Sequence, residues 1–207
     1  MENPLITIIV AVFNGSKTIQ RCIDSVVCQN YPHKELIIID GGSKDGTVEI
    51  LKNNNDKIAY WESKPDRGLA HAWNKALLHA QGNWILFLGA DDYFFEENSL
   101  SVAASYLKQA ETENIRIAYG QVKLMTPSGD LSGIRGRPWE NAKKRFFFDN
   151  RHIHHQGVFH HKNIFRIHGP FDEFFRDVGC DYEMLLRELK TGKALFIPHI
   201  VSVATTG

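Results

Sequence analysis

The chain of 207 residues contains 43% hydrophobic and 23% charged residues, and its acidic and basic side chains are equal in number. This composition is typical of one globular domain, and the balanced charge gives no support for binding nucleic acid. The three cysteines form no CxxC pair, no apolar run reaches the roughly 20 residues of a membrane-spanning helix, and no signal peptide follows Met1, so the sequence predicts a cytoplasmic protein.

The first hundred residues alternate between strand and helix signals. Strands are predicted where β-branched residues run together, and helices where apolar residues recur about every three or four positions. The predicted strands are 5–12, 35–40, 58–61 and 84–88, and the predicted helices are 17–28, 47–53 and 68–80. This alternation predicts an α/β fold with a mostly parallel sheet and helices on both faces.

The second half is less regular, although no linker separates it from the first. Predicted strands are 116–125, 131–134, 157–160 and 194–203, and predicted helices are 100–111 and 180–190. We therefore expect a single domain, 1–207, in which residues 1–100 bind a nucleotide and residues 101–207 receive a second substrate.

The segment Arg135–Arg151 is basic and aromatic. Its cations beside Trp139 and Phe146–Phe148 suit an anionic membrane surface or a lipid diphosphate. An ordinary loop, with its Phe residues in the core and its cations in water, is an equally good interpretation.

Acidic residues follow the strand and loop signals of the first half: Asp40, Asp66 and the pair Asp91-Asp92. In a parallel sheet, ligand sites lie outside the carboxyl ends of the strands. A carboxylate there can accept a hydrogen bond from a base or a ribose, but it is a poor partner for phosphate, and the glycine patterns of phosphate loops are absent. The alternative is that Asp40 and Asp45 simply cap the turn and helix that follow.

Several stretches carry a family resemblance through their order and spacing, and they cover nearly the whole chain: Ile8–Asn14, Glu35–Thr47, Ser63–Gly68 with Ala72 and Asn74, Phe87–Asp92, His155-Gln156, Gly169–Phe175 and Asp181–Arg187. Together they resemble glycosyltransferase family 2, an inverting family with the Rossmann-like GT-A fold. The resemblance implies a mostly parallel central sheet flanked by helices, followed by an irregular half that binds the acceptor.

The resemblance assigns nucleotide contacts to residues at strand ends and in the loops after them: Val10, Val12, Asn14, Asp40, Asp66 and Arg67. By this analogy, Asp40 accepts from the base or ribose, Asp66 reads the base edge, and Arg67 lies near the phosphates.

The resemblance also implies a divalent cation, Mg²⁺ or Mn²⁺, that stabilises the leaving diphosphate. The family pattern is often Asp-x-Asp, but the first position here is Gly89, so Asp91 is the predicted metal ligand and Asp92 is assigned to the ribose or a neighbouring loop. His155 is expected to contact the diphosphate or the metal. A zinc site in the histidine-rich stretch 152–168 is an alternative, but its spacing matches no zinc pattern.

Asp181 matches the general base of the family, a carboxylate that removes the proton of the attacking hydroxyl. Its position at the start of a predicted helix leaves open a role as a simple helix cap. Asp177 and Glu183 are weaker candidates for the base, and Asp172 is expected to support a turn.

The resemblance implies transfer of a sugar, with inversion, from a nucleoside diphosphate sugar to a saccharide or lipid-linked saccharide. A UDP-sugar is the expected donor, and the expected setting is cell-surface polysaccharide synthesis at the inner face of the membrane. Two alternatives remain open: a sugar nucleotidyltransferase, and a binding module without turnover, which the missing acid at Gly89 suggests.

Overall fold

The computed structural model describes residues 3–149, 153–176 and 178–205. Within them, the strands are β1 Ile6–Val12, β2 Lys34–Asp40, β3 Tyr60–Ser63, β4 Trp84–Gly89, β5 Tyr93–Phe94, β6 Ile117–Met125, β7 Leu131–Arg135, β8 Val158–His161 and β9 Ala194–Thr205. The helices are α1 Ile19–Val27, α2 Thr47–Asn53, α3 Leu69–Leu77, α4 Ser99–Thr112, α5 Trp139–Asp149, α6 Asn163–His168 and α7 Cys180–Leu189. Short 3-10 turns occupy Asn55–Lys57, His155–Gly157 and Glu173–Phe175.

One sheet contains all of these strands in the order β3-β2-β1-β4-β8-β6-β9-β5, with β7 paired to β6. Strands β1 to β4, β6 and β9 run in one direction, and β5, β7 and β8 run in the other. The carboxyl ends of β1 to β4 therefore share one edge. Because β8 is antiparallel to β4, the turn before β8 reaches that same edge, which brings His155 beside the end of β4.

The sheet has a buried apolar layer on each face, because successive side chains of a strand point to opposite sides. Ile8 and Val10 of β1 pack with α1, α2 and α4 on one face, whereas Ile9 packs with α3, α5 and α7 on the other. Buried strands of this kind are apolar throughout, which is the pattern of the first-half strands.

Three elements were not predicted from the sequence. The segment after β7, for which a loop was one of two interpretations, contains the helix α5, and Trp139, Ala142 and Phe146 form its buried side. Their spacing of three and four residues is a helical signal that the surrounding charges obscured. Helix α6 and the two-residue strand β5 were also not predicted, because neither is long enough to show a periodicity.

No helix among the described residues is long and apolar enough to cross a membrane. Predictions that fall on Arg151, His152 and Asp177 lie outside the described residues.

Candidate active site

Hydrogen bonds join the loops that follow β1 and β2. The amide of Gly41 donates to the carbonyl of Val12 at 2.9 Å, and the amide of Asn14 donates to Ser43 Oγ at 2.7 Å. Asn14 has a left-handed backbone (φ 52°), and its Oδ1 accepts from the amide of Lys44 at 3.1 Å. Val12 and Asn14 therefore lie at the carboxyl edge of the sheet, where the sequence predicted a ligand.

Val10 lies inside the sheet. It is in register with Ile38 on one side and Leu88 on the other, and its side chain is completely buried. Strand pairing and core packing thus surround this residue. The structure gives its predicted nucleotide contact no support.

The carboxylate of Asp40 is completely buried and is held by its own loop. Its Oδ2 accepts from the amides of Gly42 at 3.1 Å and Ser43 at 2.9 Å and from Ser63 Oγ at 2.5 Å, while Ser43 Oγ donates to Oδ1. These bonds match the alternative in which Asp40 fixes the turn. A direct contact with a base or ribose would require this loop to open, so that role stays a prediction.

Asp66 lines a cavity of about 250 Å³ at the ends of β1 and α3. One of its oxygens accepts from the amide of Gly68 at 2.9 Å, and the residue is partly exposed. The lining of this cavity is mostly apolar: Ala11, Val12, Phe13, Asp66, Gly68, Leu69 and Ala72. A flat apolar group with one hydrogen-bonding edge fits such a lining.

Arg67 is exposed and reaches across to the second half of the chain. Its guanidinium forms an ion pair with Glu173, including an Nε contact of 3.2 Å. The hydrogen bond to Arg67, with smaller contributions from Asn74, lowers the pKa of the Glu173 carboxyl. A diphosphate would have to compete with Glu173 for this cation.

Asp91 and Asp92 have opposite surroundings. The chain turns after β4, where the amide of Asp92 donates to the carbonyl of Gly89 at 3.1 Å. Asp92 consequently folds back, is 3% exposed, and accepts from the amides of Gly89 at 3.0 Å and Thr205 at 3.3 Å. Burial, reinforced by the charge of Asp91, raises the pKa of the Asp92 carboxyl to about 7. Asp92 was assigned to the ribose or a neighbouring loop; its bond to Thr205 matches the loop contact, and its burial gives the ribose contact no support.

Asp91 itself is exposed, and among the described residues no hydrogen bond to its carboxylate is found. Its backbone is braced from α1, where Arg21 donates to the Asp91 carbonyl at 2.6 Å and stacks over the ring of Tyr93 at 4.3 Å. The turn is thus held while the carboxylate is left available to a ligand.

A second cavity of about 310 Å³ adjoins the first, since Ala11 and Leu69 line both. Its other lining residues come from α3, β4, the turn before β8 and the start of α7 with the two residues before it: Trp73, Phe87, Leu88, Gly89, His155, Gln156, Val178, Gly179 and Asp181. Asp181 is partly exposed and lies in the first turn of α7, where a carboxylate interacts favourably with the helix N-terminus, so the helix-cap alternative stays open beside the role of base. Its carboxylate therefore faces the same space as His155 and the end of β4.

His155 is 8% exposed and lies between aromatic rings. Its ring stacks on Phe87 with centroids 5.4 Å apart, and the Trp73 ring is 4.8 Å away. Burial lowers the pKa of His155, opposed in part by the charge of Asp181, so the imidazole is neutral near pH 7. Its Nε2 has no hydrogen-bond partner among the described residues.

Within the described residues, no cluster of three or more histidine, cysteine or acidic side chains could hold a metal ion. The zinc alternative therefore has no support. A magnesium or manganese site fits better, because such ions often use one or two protein ligands and take the rest of their shell from phosphates and water. The unpaired carboxylate of Asp91 and the unpaired Nε2 of His155 are two candidate ligands among the described residues.

Two features of the site were missed by sequence reasoning. Phe13 is 68% exposed although it directly follows a buried strand and lines the first cavity. An aromatic residue just past a strand end was a usable signal. The aromatic surroundings of His155 gave no such signal, since Trp73, Phe87 and Phe171 are far apart in sequence.

The sequence model for "Glycosyl transferase family 2" matches residues 7–173, most of the chain. The chain belongs to glycosyltransferase family 2. The resemblance seen in the motifs is thereby confirmed.

Relatives within the family include a PGL/p-HBAD biosynthesis glycosyltransferase of Mycobacterium bovis, 29% identical over 191 residues, with 90% of this chain and 70% of that protein covered. The chain is also 28% identical over 198 residues to the chondroitin synthase of Pasteurella multocida, covering 92% of this chain and 19% of that protein.

Two solved structures share the fold. Residues 1–349 of S. aureus TarS in complex with UDP superpose with a TM-score of 0.73 and 19% identity, covering 98% of this chain and 60% of that one. The mannosyltransferase PcManGT of Pyrobaculum calidifontis, in complex with GDP-Man and Mn²⁺, gives a TM-score of 0.73 and 21% identity, covering 99% of this chain and 57% of that one. The predicted GT-A fold is confirmed, and this family 2 chain spans less than two thirds of these two solved chains.

Proposed function

We propose that this family 2 protein transfers a sugar, with inversion, from a nucleoside diphosphate sugar to a hydroxyl acceptor. The observation that carries the proposal is the pair of adjoining cavities at the carboxyl edge of the sheet. One is lined by Phe13 and Asp66 and suits a nucleoside, and the other is lined by His155 and Asp181 and suits the reacting sugar.

In this proposal the base of the donor lies against Phe13, and Asp66 accepts a hydrogen bond from its edge. Asp91 would hold the divalent cation, with His155 as a second candidate ligand, and the cation would supply positive charge to the leaving diphosphate. Arg67 would exchange Glu173 for a phosphate. Asp40 and Asp92 act indirectly by fixing the loops.

The reaction is a single displacement. The acceptor oxygen forms a bond to the anomeric carbon while the bond from that carbon to the diphosphate oxygen breaks. Asp181 takes the proton of the acceptor hydroxyl, and the diphosphate leaves with the bonding electron pair. Attack from the face opposite the leaving group inverts the anomeric centre.

Related proteins support the choice of ligands without fixing it. TarS has been crystallised with UDP, and PcManGT with GDP-Man and Mn²⁺. We propose a UDP-sugar as donor and a saccharide or lipid-linked saccharide as acceptor, in the synthesis of a cell-surface glycan at the cytoplasmic face of the membrane.

A thermal-shift series with UDP, GDP and dTDP, each with and without Mn²⁺, tests donor binding. A ligand that binds only the folded state raises its apparent stability, so one nucleotide should stand out and its effect should grow with Mn²⁺. The absence of a shift with all three would contradict the proposal.

Catalysis is tested with Asp181→Asn. We expect turnover to fall by roughly 10²- to 10⁴-fold, the usual contribution of a general base, while nucleotide binding is unchanged. Glu183→Gln on the same helix is the matched control and tests the alternative base. If Asp181→Asn leaves nucleotide release from a panel of sugar donors unchanged, the protein is a binding module or uses another base.

A further inference from the structure

The segment before α7 exposes three large apolar side chains. Phe174 is 86% exposed, Val178 is 82% exposed and Phe175 is 38% exposed. The two phenyl rings lie 5.8 Å apart at an angle of 89°. We call Phe174, Phe175 and Val178 the apolar tip.

The framework below the apolar tip is well anchored. Phe171 is 2% exposed, and its backbone amide and carbonyl bond the side chain of Asn74, each at 2.9 Å. The amide of Ala70 donates to the carbonyl of Arg176 at 2.9 Å. These hydrogen bonds fix the backbone of the segment to α3, and the side chains of the apolar tip remain exposed on that fixed backbone.

The apolar tip is continuous with the reaction cavity. Val178 lines that cavity together with Gly179 and Asp181. The Phe175 ring lies 3.8 Å from the point where a side chain at Gly179 would begin, and the Phe175 carbonyl accepts from the amide of Val178 at 3.1 Å. A contiguous apolar patch that is exposed beside a pocket is typical of a ligand-binding surface.

We propose that the apolar tip binds an alkyl chain attached to the acceptor next to the hydroxyl that is glycosylated. This inference rests on the proposed function, because it is the acceptor hydroxyl that must approach Asp181. A hydroxyl held there leaves the adjoining part of its molecule against Val178, from which an alkyl chain can extend along the apolar tip. The acceptor class is thus a molecule that carries an alkyl chain beside the glycosylated hydroxyl, and a free sugar would leave the tip uncovered.

The test measures binding of methyl and octyl β-D-glucoside by calorimetry, below the micelle concentration, with Mn²⁺ and the nucleotide that gives the largest thermal shift. We expect the octyl glucoside to bind at least about tenfold more tightly than the methyl glucoside, because the alkyl chain is removed from water. In the double variant Phe174→Ser/Val178→Ser this preference should fall to about twofold or less.

The matched control is Leu78→Ser, which removes a side chain that is 83% exposed on another part of the surface and should leave the preference intact. Equal affinities for the two glucosides, no binding of either, or a preference that survives in the double variant would each overturn the inference. The inference would also be overturned if the wild-type protein showed no glucoside preference while the double variant lost binding to phosphatidylcholine vesicles. The apolar tip would then be a membrane contact. The proposed function fails separately, through the absence of a nucleotide shift.

Discussion

At the scale of single residues, Asp91 and Asp92 show how one turn separates two identical side chains. Asp92 faces inward between the amides of Gly89 and Thr205, and Asp91 remains in contact with solvent. Burial raises the pKa of the inward carboxylate, whereas the outward carboxylate stays available to a cation. Their tasks are therefore structural and ligand-binding, respectively.

Asp92 is expected to make the protein less stable as the pH rises towards neutrality. Its pKa is about 7 in the folded protein against an ordinary value of 3.8, so the folded state retains a proton that the unfolded chain has released. Between those values, stability falls as the pH rises, and above them this contribution is constant. From about pH 5 to pH 7 the expected loss is about 2–3 kcal/mol.

The measurement is denaturant unfolding of the wild-type protein and Asp92→Asn at about pH 5 and about pH 8, with a chelator present. Buried neutral histidines such as His155 and His160 act in the opposite direction, because protonation below their lowered pKa favours the unfolded state. Both proteins contain these histidines, so the histidine contribution cancels in the difference between their free energies of unfolding. If that difference is the same at both pH values, the raised pKa of Asp92 is contradicted.

Gly89 is expected to tune the metal site. A Cβ at this position would overlap Asp92 Oδ2 and lie 3.0 Å from Asp91 Oδ1, so Gly89→Ala forces both carboxylates to move. Disturbing the surroundings of a metal ligand typically costs about 10- to 100-fold in metal affinity. We expect the midpoint of a Mn²⁺ titration, measured through the thermal shift with nucleotide, to move to a higher Mn²⁺ concentration by that factor. Nucleotide binding without Mn²⁺ is the internal control, and if both change equally the effect is not on the metal.

At the scale of elements, the strands of the first half could be predicted because buried parallel strands are apolar throughout and end at recognisable breaks. Their polar tips could be placed at one edge for the same reason. The directions of those tips could not be predicted, since the amides around Asp40 and Asp92 belong to the folded loops. His155 reaches the edge only because β8 is antiparallel to β4, a long-range pairing that local sequence does not encode.

Helix α5 is expected to contact an anionic membrane. Its exposed side carries Lys143, Lys144, Arg145 and Phe148, the last 81% exposed, while Trp139, Ala142 and Phe146 are buried. Each cation near an anionic lipid surface contributes about 1 kcal/mol, and the effect is screened by salt.

In liposome flotation, we expect binding to phosphatidylserine vesicles that decreases with salt and is lost in Lys143→Glu/Lys144→Glu. The matched control is Lys52→Glu/Lys57→Glu, which reverses exposed charges near α2 and should have no effect. The prediction is contradicted if the protein floats equally well with neutral and anionic vesicles, or if the α5 variant and the control variant lose binding to the same extent.

At the scale of the whole molecule, Asn74 joins the nucleotide half to the half that carries the candidate base, beside the ion pair of Arg67 with Glu173. Asn74 of α3 donates to the carbonyl of Phe171 and accepts from its amide, and it also reaches Glu173 at 3.3 Å. The segment held in this way leads directly to α7 and Asp181. The position of the base relative to the donor therefore depends on this contact.

Asn74→Asp is expected to slow transfer without weakening nucleotide binding. The substitution keeps the shape of the side chain but replaces the amide donor with an acceptor, which faces the carbonyl of Phe171 and repels Glu173. A displacement of about 1 Å at a reacting group can cost about 10²-fold in rate, so we expect kcat to fall by roughly 10- to 100-fold.

The measurements are kcat, the donor KM and the nucleotide affinity, and Asn53→Asp on the exposed face of α2 is the matched control. A parallel loss of nucleotide affinity would indicate a general structural defect, and an unchanged kcat would mean that α7 is positioned without this contact. Only a fall in kcat at constant nucleotide affinity shows that Asn74 fixes the position of Asp181 relative to the nucleotide site.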